Sequence, residues 1–416
     1  MSSEWSSTTI GEQATLQRGF DITKATQKSG SVPVVSSAGV GSRHDTAMAK
    51  APGVVLGRKG VVGSVHFISE DYWPHDTTLW VKDFHGNAEL FVYYFFLAHA
   101  KDLSALDVGS ANPTLNRNHV HPIRVMWPPR SEQVEIGNVL AALDNRIALL
   151  RETNATLEAI AQALFKSWVV DFDPVRAKME GREPDGMDEA IAALFPNEFD
   201  ASELGRVPRG WTVSPIGDVV SIAGGATPDT KNSTFWREGV HPWTTPKDLS
   251  GLATPVLLDT ERKLSPAGLS KIGSGLLPRR TLLLSSRAPI GYLALTEVPL
   301  AINQGYIAMT PGGRLPPLYL LFWCRQNMEV IKARANGSTF MEISKKAFRP
   351  IPVLVPPQPV VEAFMAVAEA IFERLVENEK QAQTLASLRD GLLPRLISGQ
   401  LRLPDFERDL SEPAIA

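Results

Sequence analysis

The sequence predicts an α+β protein: two duplicated mixed α/β domains separated by two long antiparallel coiled-coil helices, with a pseudo-two-fold relation between the copies. Three observations predict it. First, residues 132–170 carry a heptad, with Leu140, Ile147, Asn154, Ala161 and Trp168 at a positions and Leu143, Leu150, Leu157 and Leu164 at d positions. Only a 3.5-residue period keeps so narrow an apolar stripe facing a partner over many turns. Second, the seam returns 228 residues later, somewhat degraded, with Ala368, Leu375, Ala382, Arg389 and Leu396 at a and Ile371, Asn378, Leu385 and Leu392 at d. Third, the same offset extends into the flanking domains, the mark of an internal duplication.

Residues 1–130 form the first domain. The runs SVPVVSSAGVG, GVVLGRKGVVGSVHFI and TTLWVKDF are rich in β-branched and aromatic residues and broken by Gly, Pro, Asn and Asp, and so read as strands and loops. The apolar stretch from Leu90 to Ala100 is long enough for one buried helix. A last strand follows over PIRVMWPP, whose prolines end it before the long helix at 131–170. Residues 171–206 are acidic, broken by Pro and Gly, and read as a connector. The second domain covers 207–358, the second long helix 359–403, and a short polar tail 404–416.

The correspondence is residue by residue. Gly109-Ser110 maps on Gly337-Ser338, and Pro122-Ile123 with Pro128-Pro129 map on Pro350-Ile351 with Pro356-Pro357. LFVYYFFLA from Leu90 maps on LYLLFWCRQ from Leu318, and VVLGRKGVVG from Val54 on LLLSSRAPIG from Leu282, so that Lys59 answers Arg287. Near the domain starts the spacing is 206, matching Trp5, Ile10 and Gly11 with Trp211, Ile216 and Gly217. About 22 extra residues therefore sit in the second copy.

Charge is unevenly distributed. The net value is -3, yet residues 207–358 hold 17 Lys and Arg against 9 Asp and Glu, while 1–130 hold 12 against 11. The helices and connector are acidic. An anion-binding face in the first copy must come from the placement of its basic residues, not from their number. The lone cysteine, Cys324, lies in an apolar run and reads as packing; it excludes an intrachain disulfide and fits a reducing compartment. No apolar stretch approaches 18 residues, and MSSEWSSTTIGE has no signal-peptide character. The expectation is a cytoplasmic protein that does not enter a membrane.

Catalytic patterns are not found. There is no phosphate-loop lysine, no acidic helicase box, no Asp…Glu-x-Lys nuclease signature, no zinc spacing, and only a faint methyltransferase echo in Asn112-Pro113-Thr114. Gly224-Gly225-Ala226-Thr227-Pro228 is glycine-rich but follows no phosphate-loop pattern; a flexible loop near a ligand and a simple turn both fit it. His44-Asp45 and His75-Asp76 are sequence neighbours, and neighbours on a strand face opposite ways. Asp171 and Asp173, a conceivable metal pair, have no third ligand nearby and read as a solvated helix end. We expect no catalytic and no metal-binding residues.

The run ALDNRIALLRETNATLEAIAQALFKSWVVDFDPV, the second helix ending SLRDGLLPRLISGQL, the LSSRAPIG segment and the Gly-Ser…Pro-Ile…Pro-Pro entry to each helix together resemble the specificity subunit of type I DNA restriction-modification systems. The resemblance covers essentially the whole chain. It implies two target recognition domains, each reading half of a bipartite site on double-stranded DNA, held apart by the helices. It also implies docking of two modification (methyltransferase) subunits, which bind S-adenosylmethionine, and of restriction subunits that translocate and cut DNA using ATP and Mg; this chain itself would carry no cofactor. A helix of about 38 residues spans about 57 Å, roughly 17 base pairs, so helix length would set the gap between half-sites.

For base and phosphate contacts the basic and amide residues of loops are the candidates. These are Arg58, Lys59, Asn116 and Arg117 in the first copy, and Lys231, Arg279, Arg287, Lys345, Lys346 and Arg349 in the second. The alternative for each is a solvated charge, and for Arg287 a brace of the fold. Arg146, Arg151, Glu158, Phe165 and Arg374 are the candidate contacts to modification subunits. An antiparallel register in which paired positions sum to 532 opposes Asn154 to Asn378, Ile147 to Leu385, Leu157 to Leu375 and Ala161 to Ile371. A scaffold that binds only proteins, and a solitary DNA-binding subunit without modification partners, are the competing readings.

Overall fold

A computed structural model describes residues 5–106, 114–337 and 341–403 of the chain. The Gly109-Ser110 match, the Asn-Pro-Thr echo at its first two residues and the tail lie outside the described residues. The structure divides into two compact units, 1–148 with 383–416, and 149–382, so that each long helix contributes part of its length to each.

In the first unit a four-stranded antiparallel sheet has the order Thr15–Arg18, Thr78–Asp83, Gly53–Gly57, Val65–Ile68. The central strand GVVLG is buried along its whole length, because its β-branched and leucine side chains meet apolar partners on both faces. Each such side chain removed from water contributes about 1.5–3 kcal/mol. One face is covered by the helix Glu89–Ala98, whose Phe91, Val92, Phe95 and Phe96 are buried. That helix ends at His99, which leaves helical geometry, and a short second helix, Ala100–Ala105, follows. A smaller sheet joins Gly39–His44, Val32–Ser36 and Trp73–Pro74, and Ser6–Thr9 pairs with Arg124–Trp127.

The second unit repeats the plan. Ser221–Ala223, Tyr306–Thr310, Leu282–Ser285 and Leu293–Thr296 occupy the same order, under the buried helix Pro317–Gln326. The second copy adds a fifth strand, Val256–Leu257, parallel to Leu293–Thr296, preceded by the helical turn Pro246–Leu249. These elements take up the extra residues seen in its sequence. Cys324 is fully buried, and burial pushes its thiol pKa far up, away from reactivity.

The first long helix runs Arg130–Phe165 and continues as a wider π-helical turn, Lys166–Asp171. It stops at Phe172, whose φ of +58° is left-handed. Asp171 is ion-paired with Lys166 as part of this helix end. The segment that follows is more ordered than a bare connector. Its helix Asp173–Met179 and the hairpin Phe199–Ser202 with Gly205–Pro208 bury Val175, Phe195 and Val207 around Trp168 and Trp211.

The second long helix spans Gln358–Ile397. Within each unit the two helices run antiparallel. In the second unit Asn154 and Asn378 are each 1% exposed. The Asn378 amide donates to Asn154 Oδ1 at 2.9 Å, and the Asn154 amide donates to the Leu375 carbonyl at 3.2 Å. The opposed asparagines of the heptad reading therefore form a satisfied polar step in an apolar seam. In the first unit the charged a position, Arg389, reaches Asp144 at 2.5 Å, and Asp144 also accepts the Tyr94 hydroxyl at 2.7 Å. The degraded heptad is thus repaired by a polar network that ties helix to domain.

Candidate nucleic-acid interface

In the first copy a cleft of about 650 Å³ opens where the strand Thr15–Arg18 ends. Gln17, Arg18, Asp21, Arg58, Asn116 and Arg117 supply its polar walls. Local geometry explains the gathering. Gly19 lies so close to the chain that a Cβ there would fall 2.2 Å from the His75 carbonyl, so only glycine turns the strand at this point. Arg58 follows the buried strand and is held by its backbone N–H on the Thr77 carbonyl at 2.8 Å. Asn116 caps the helical turn Arg117–Val120, accepting from the Asn118 N–H at 3.0 Å.

The electrostatics of the cleft are concentrated. Arg18 pairs with Asp21 at 2.9 Å and with Asp76 at 3.2 Å. Partial burial, and then the neighbouring Arg18, depress the pKa of Arg58, and Asp76 acts in the opposite direction. Three of the four residues singled out from sequence in this copy, Arg58, Asn116 and Arg117, come together here. Lys59 stands exposed beside the cleft and does not line it. Arg18 and Gln17 were missed because they lie at a strand end with no motif around them; the signal available was the glycine that follows.

The second copy builds the corresponding place differently. A Cβ on Gly224 would sit 1.7 Å from the Lys345 ammonium nitrogen, so Lys345 occupies the space that this glycine leaves. Lys345 starts a helical turn capped by Ser344, the equivalent of Asn116, and exposed Lys346 and Arg349 flank it. Lys231 is exposed in a loop whose backbone N–H donates to Asp229 at 2.9 Å. Arg287 lies 3.6 Å from Glu342, bracing two loops of its own domain. Arg279 has a structural task. With Arg280 it holds the buried Glu297, at 2.6 and 2.9 Å, while Arg280 also reaches Glu369 on the second long helix at 3.0 Å. The Arg279 side chain itself remains 54% exposed.

On the helices, Arg146, Arg151 and Arg374 are exposed, and Glu158 is partly buried in an ion pair with Arg325 at 2.5 Å. The expectation for Phe165 is corrected. It is 1% exposed and packs against Tyr319, Phe322 and Phe364, with ring centroids 5.0, 5.9 and 5.6 Å away. A two-position seam underestimates a helix that must meet both a partner helix and a domain, which needs a broader apolar stripe. Exposed apolar residues lie elsewhere on the helices, among them Leu149 at 52% and Ile160 at 51%, three turns apart on one face.

Among the described residues no helix is long and apolar enough to cross a membrane, and no group of three or more His, Cys, Asp or Glu is placed to hold a metal ion.

Comparison with known proteins adds a family. The type I restriction modification DNA specificity domain matches twice, over residues 2–159 and 208–381. The specificity subunit of the type I restriction enzyme HindI from Haemophilus influenzae is 28% identical over 331 residues, 70% of this chain and 71% of that protein. The MjaIX specificity subunit from Methanocaldococcus jannaschii is 34% identical over 189 residues, 45% of this chain and 43% of that one. Among solved structures, the S subunit of a type I restriction-modification system from M. genitalium superposes with a TM-score of 0.61 at 16% identity, covering 95% of this chain and 96% of the other.

Proposed function

This chain belongs to the type I restriction-modification DNA specificity family, and from that premise we propose that it reads one asymmetric, interrupted sequence on double-stranded DNA for a modification and restriction complex. Each copy reads one half-site. The long helices set the interval between the halves and carry two modification subunits. Chemistry is left to partners: modification subunits supply S-adenosylmethionine-dependent adenine methylation, and restriction subunits supply ATP- and Mg-dependent translocation and cleavage. The chain works in the cytoplasm, where its DNA is.

The observation that carries this reading is the cleft of the first copy. Guanidinium and amide groups present the bidentate donors and acceptors that guanine and adenine edges require, and they stand on a rigid sheet end and a capped turn. Its counterpart in the second copy holds a lysine instead, so the two copies suit unequal half-sites. Arg146, Arg151 and Arg374, with Leu149 and Ile160, are the helix residues we assign to modification-subunit docking.

The test is to express the chain with its modification subunit and map methylated adenines across the host genome. One interrupted asymmetric motif supports the reading. A stable complex without methylation points to a defective or regulatory subunit. No complex and no DNA binding leaves a protein scaffold.

A further inference from the structure

We propose that Arg18, braced between Asp21 and Asp76, reads a guanine edge in the half-site of the first copy, and that the second copy has no such reader. The inference rests on the DNA-reading function above and names the residue that gives one position of the site its identity.

The bracing is the first observation. One terminal nitrogen of Arg18 donates to both carboxylates, at 2.9 and 3.2 Å, although the side chain is half exposed. A guanidinium fixed in this way has already lost much of its rotamer freedom, and a base edge that takes over the Nη2 hydrogen held by the highly exposed Asp21 meets Nη1 and Nη2 as a fork. Such a fork matches O6 and N7 of guanine.

The second observation is the sign of the neighbours. Two carboxylates beside an arginine oppose a phosphate, whose charge they repel. They suit a base edge, where a carboxylate accepts from the cytosine amino group. The array is therefore built for the groove floor and not for the backbone.

The third observation comes from the duplication. The backbone around the slot is retained: Phe20 N–H donates to the Pro74 carbonyl at 2.7 Å, and its equivalent Ala226 N–H donates to the Ile302 carbonyl at 3.0 Å. The side chains are not. Arg18, Asp21 and Asp76 correspond to Gly224, Thr227 and Gln304, so all three charges are replaced by neutral groups. Thr227 donates to Gln304 at 2.7 Å, and the Lys345 ammonium fills the space beside Gly224, so a point charge from another element stands where the first copy has a guanidinium fork. A brace needed by the fold would persist in both copies. A reading device is free to differ, and its members change together because an unpaired charge is costly.

The experiment uses the complete complex with modification subunits, carrying Arg18→Ala, Arg18→Lys or Asp76→Asn, with methylation mapping and competition binding at several salt concentrations. The wild-type motif is expected to contain a guanine in one half-site whose discrimination falls about 10- to 100-fold in Arg18→Ala. The other half-site stays intact. Arg18→Lys keeps the charge and loses most of the discrimination, since a lysine cannot form the fork, and it covers the case in which the alanine variant fails to assemble. Asp76→Asn relaxes the same position less. An unchanged motif with uniformly weaker binding and a shallower salt dependence makes Arg18 a phosphate contact and overturns the proposal. So does an unchanged motif with unchanged affinity. A wild-type complex that methylates no interrupted motif overturns the underlying DNA-reading function instead.

Discussion

Phe165 stands in a cluster of aromatic rings with Tyr319, Phe322 and Phe364, where the first long helix meets the second domain and the second helix. Truncation to Ala is expected to cost about 3–5 kcal/mol of stability, through lost burial and the cavity left behind. Chemical denaturation checks this; an unchanged midpoint would mean that the ring is not packed as described. His121 carries a second prediction. Its Nε2 accepts the Leu16 N–H at 2.9 Å, and burial, followed by Arg117, lowers its pKa below the usual 6.5. The folded state thus favours the neutral ring, and the unfolded chain takes up the proton first as pH falls below about 6.5. Stability of the first copy should decline over that range and level off once pH passes below the folded pKa. His121→Gln should remove this component in pH-dependent denaturation curves. Neither role was legible in sequence. The rings and imidazoles that matter here are set by neighbours more than a hundred residues away, which no local pattern reveals.

At the scale of elements, the heptad gave the register because a polar residue at one seam position is expensive unless another polar group meets it. Asn154 and Asn378 were the only asparagines in the two seams, and the structure joins them. Replacing Asn154 with Ala strands a buried amide and should cost about 1–3 kcal/mol. Replacing both with Leu should recover that loss or exceed wild-type stability, while weakening the choice of register. A double-mutant cycle by denaturation measures both; purely additive effects would contradict the pairing. Strands were legible where short apolar runs lie between turn residues, as in GVVLG and LLLS. The segment 171–206 was harder. Its acidic, proline-broken composition reads as linker, yet Phe195 and Val207 pack around Trp168, and aromatic anchors so far apart in sequence carry no period to detect.

For the whole molecule, the duplication was the most informative feature of the sequence, because one offset fixed the equivalence of two domains, two helices and two candidate sites at once. It also identified what differs. Arg58, Asn116 and Arg117 were found by residue type and converge in one cleft, whereas Arg18 emerged only when the fold brought the strand end, the loop at Asp76 and the capped turn together. The central claim is that each copy reads its own half of the DNA site. Its most direct test replaces residues 1–130 with a second copy of 207–358 and maps methylated adenines with the modification subunit present. The asymmetric motif is expected to become a symmetric one, both halves carrying the sequence formerly read by the second copy. Persistence of the original first half-site in that chimera would contradict it.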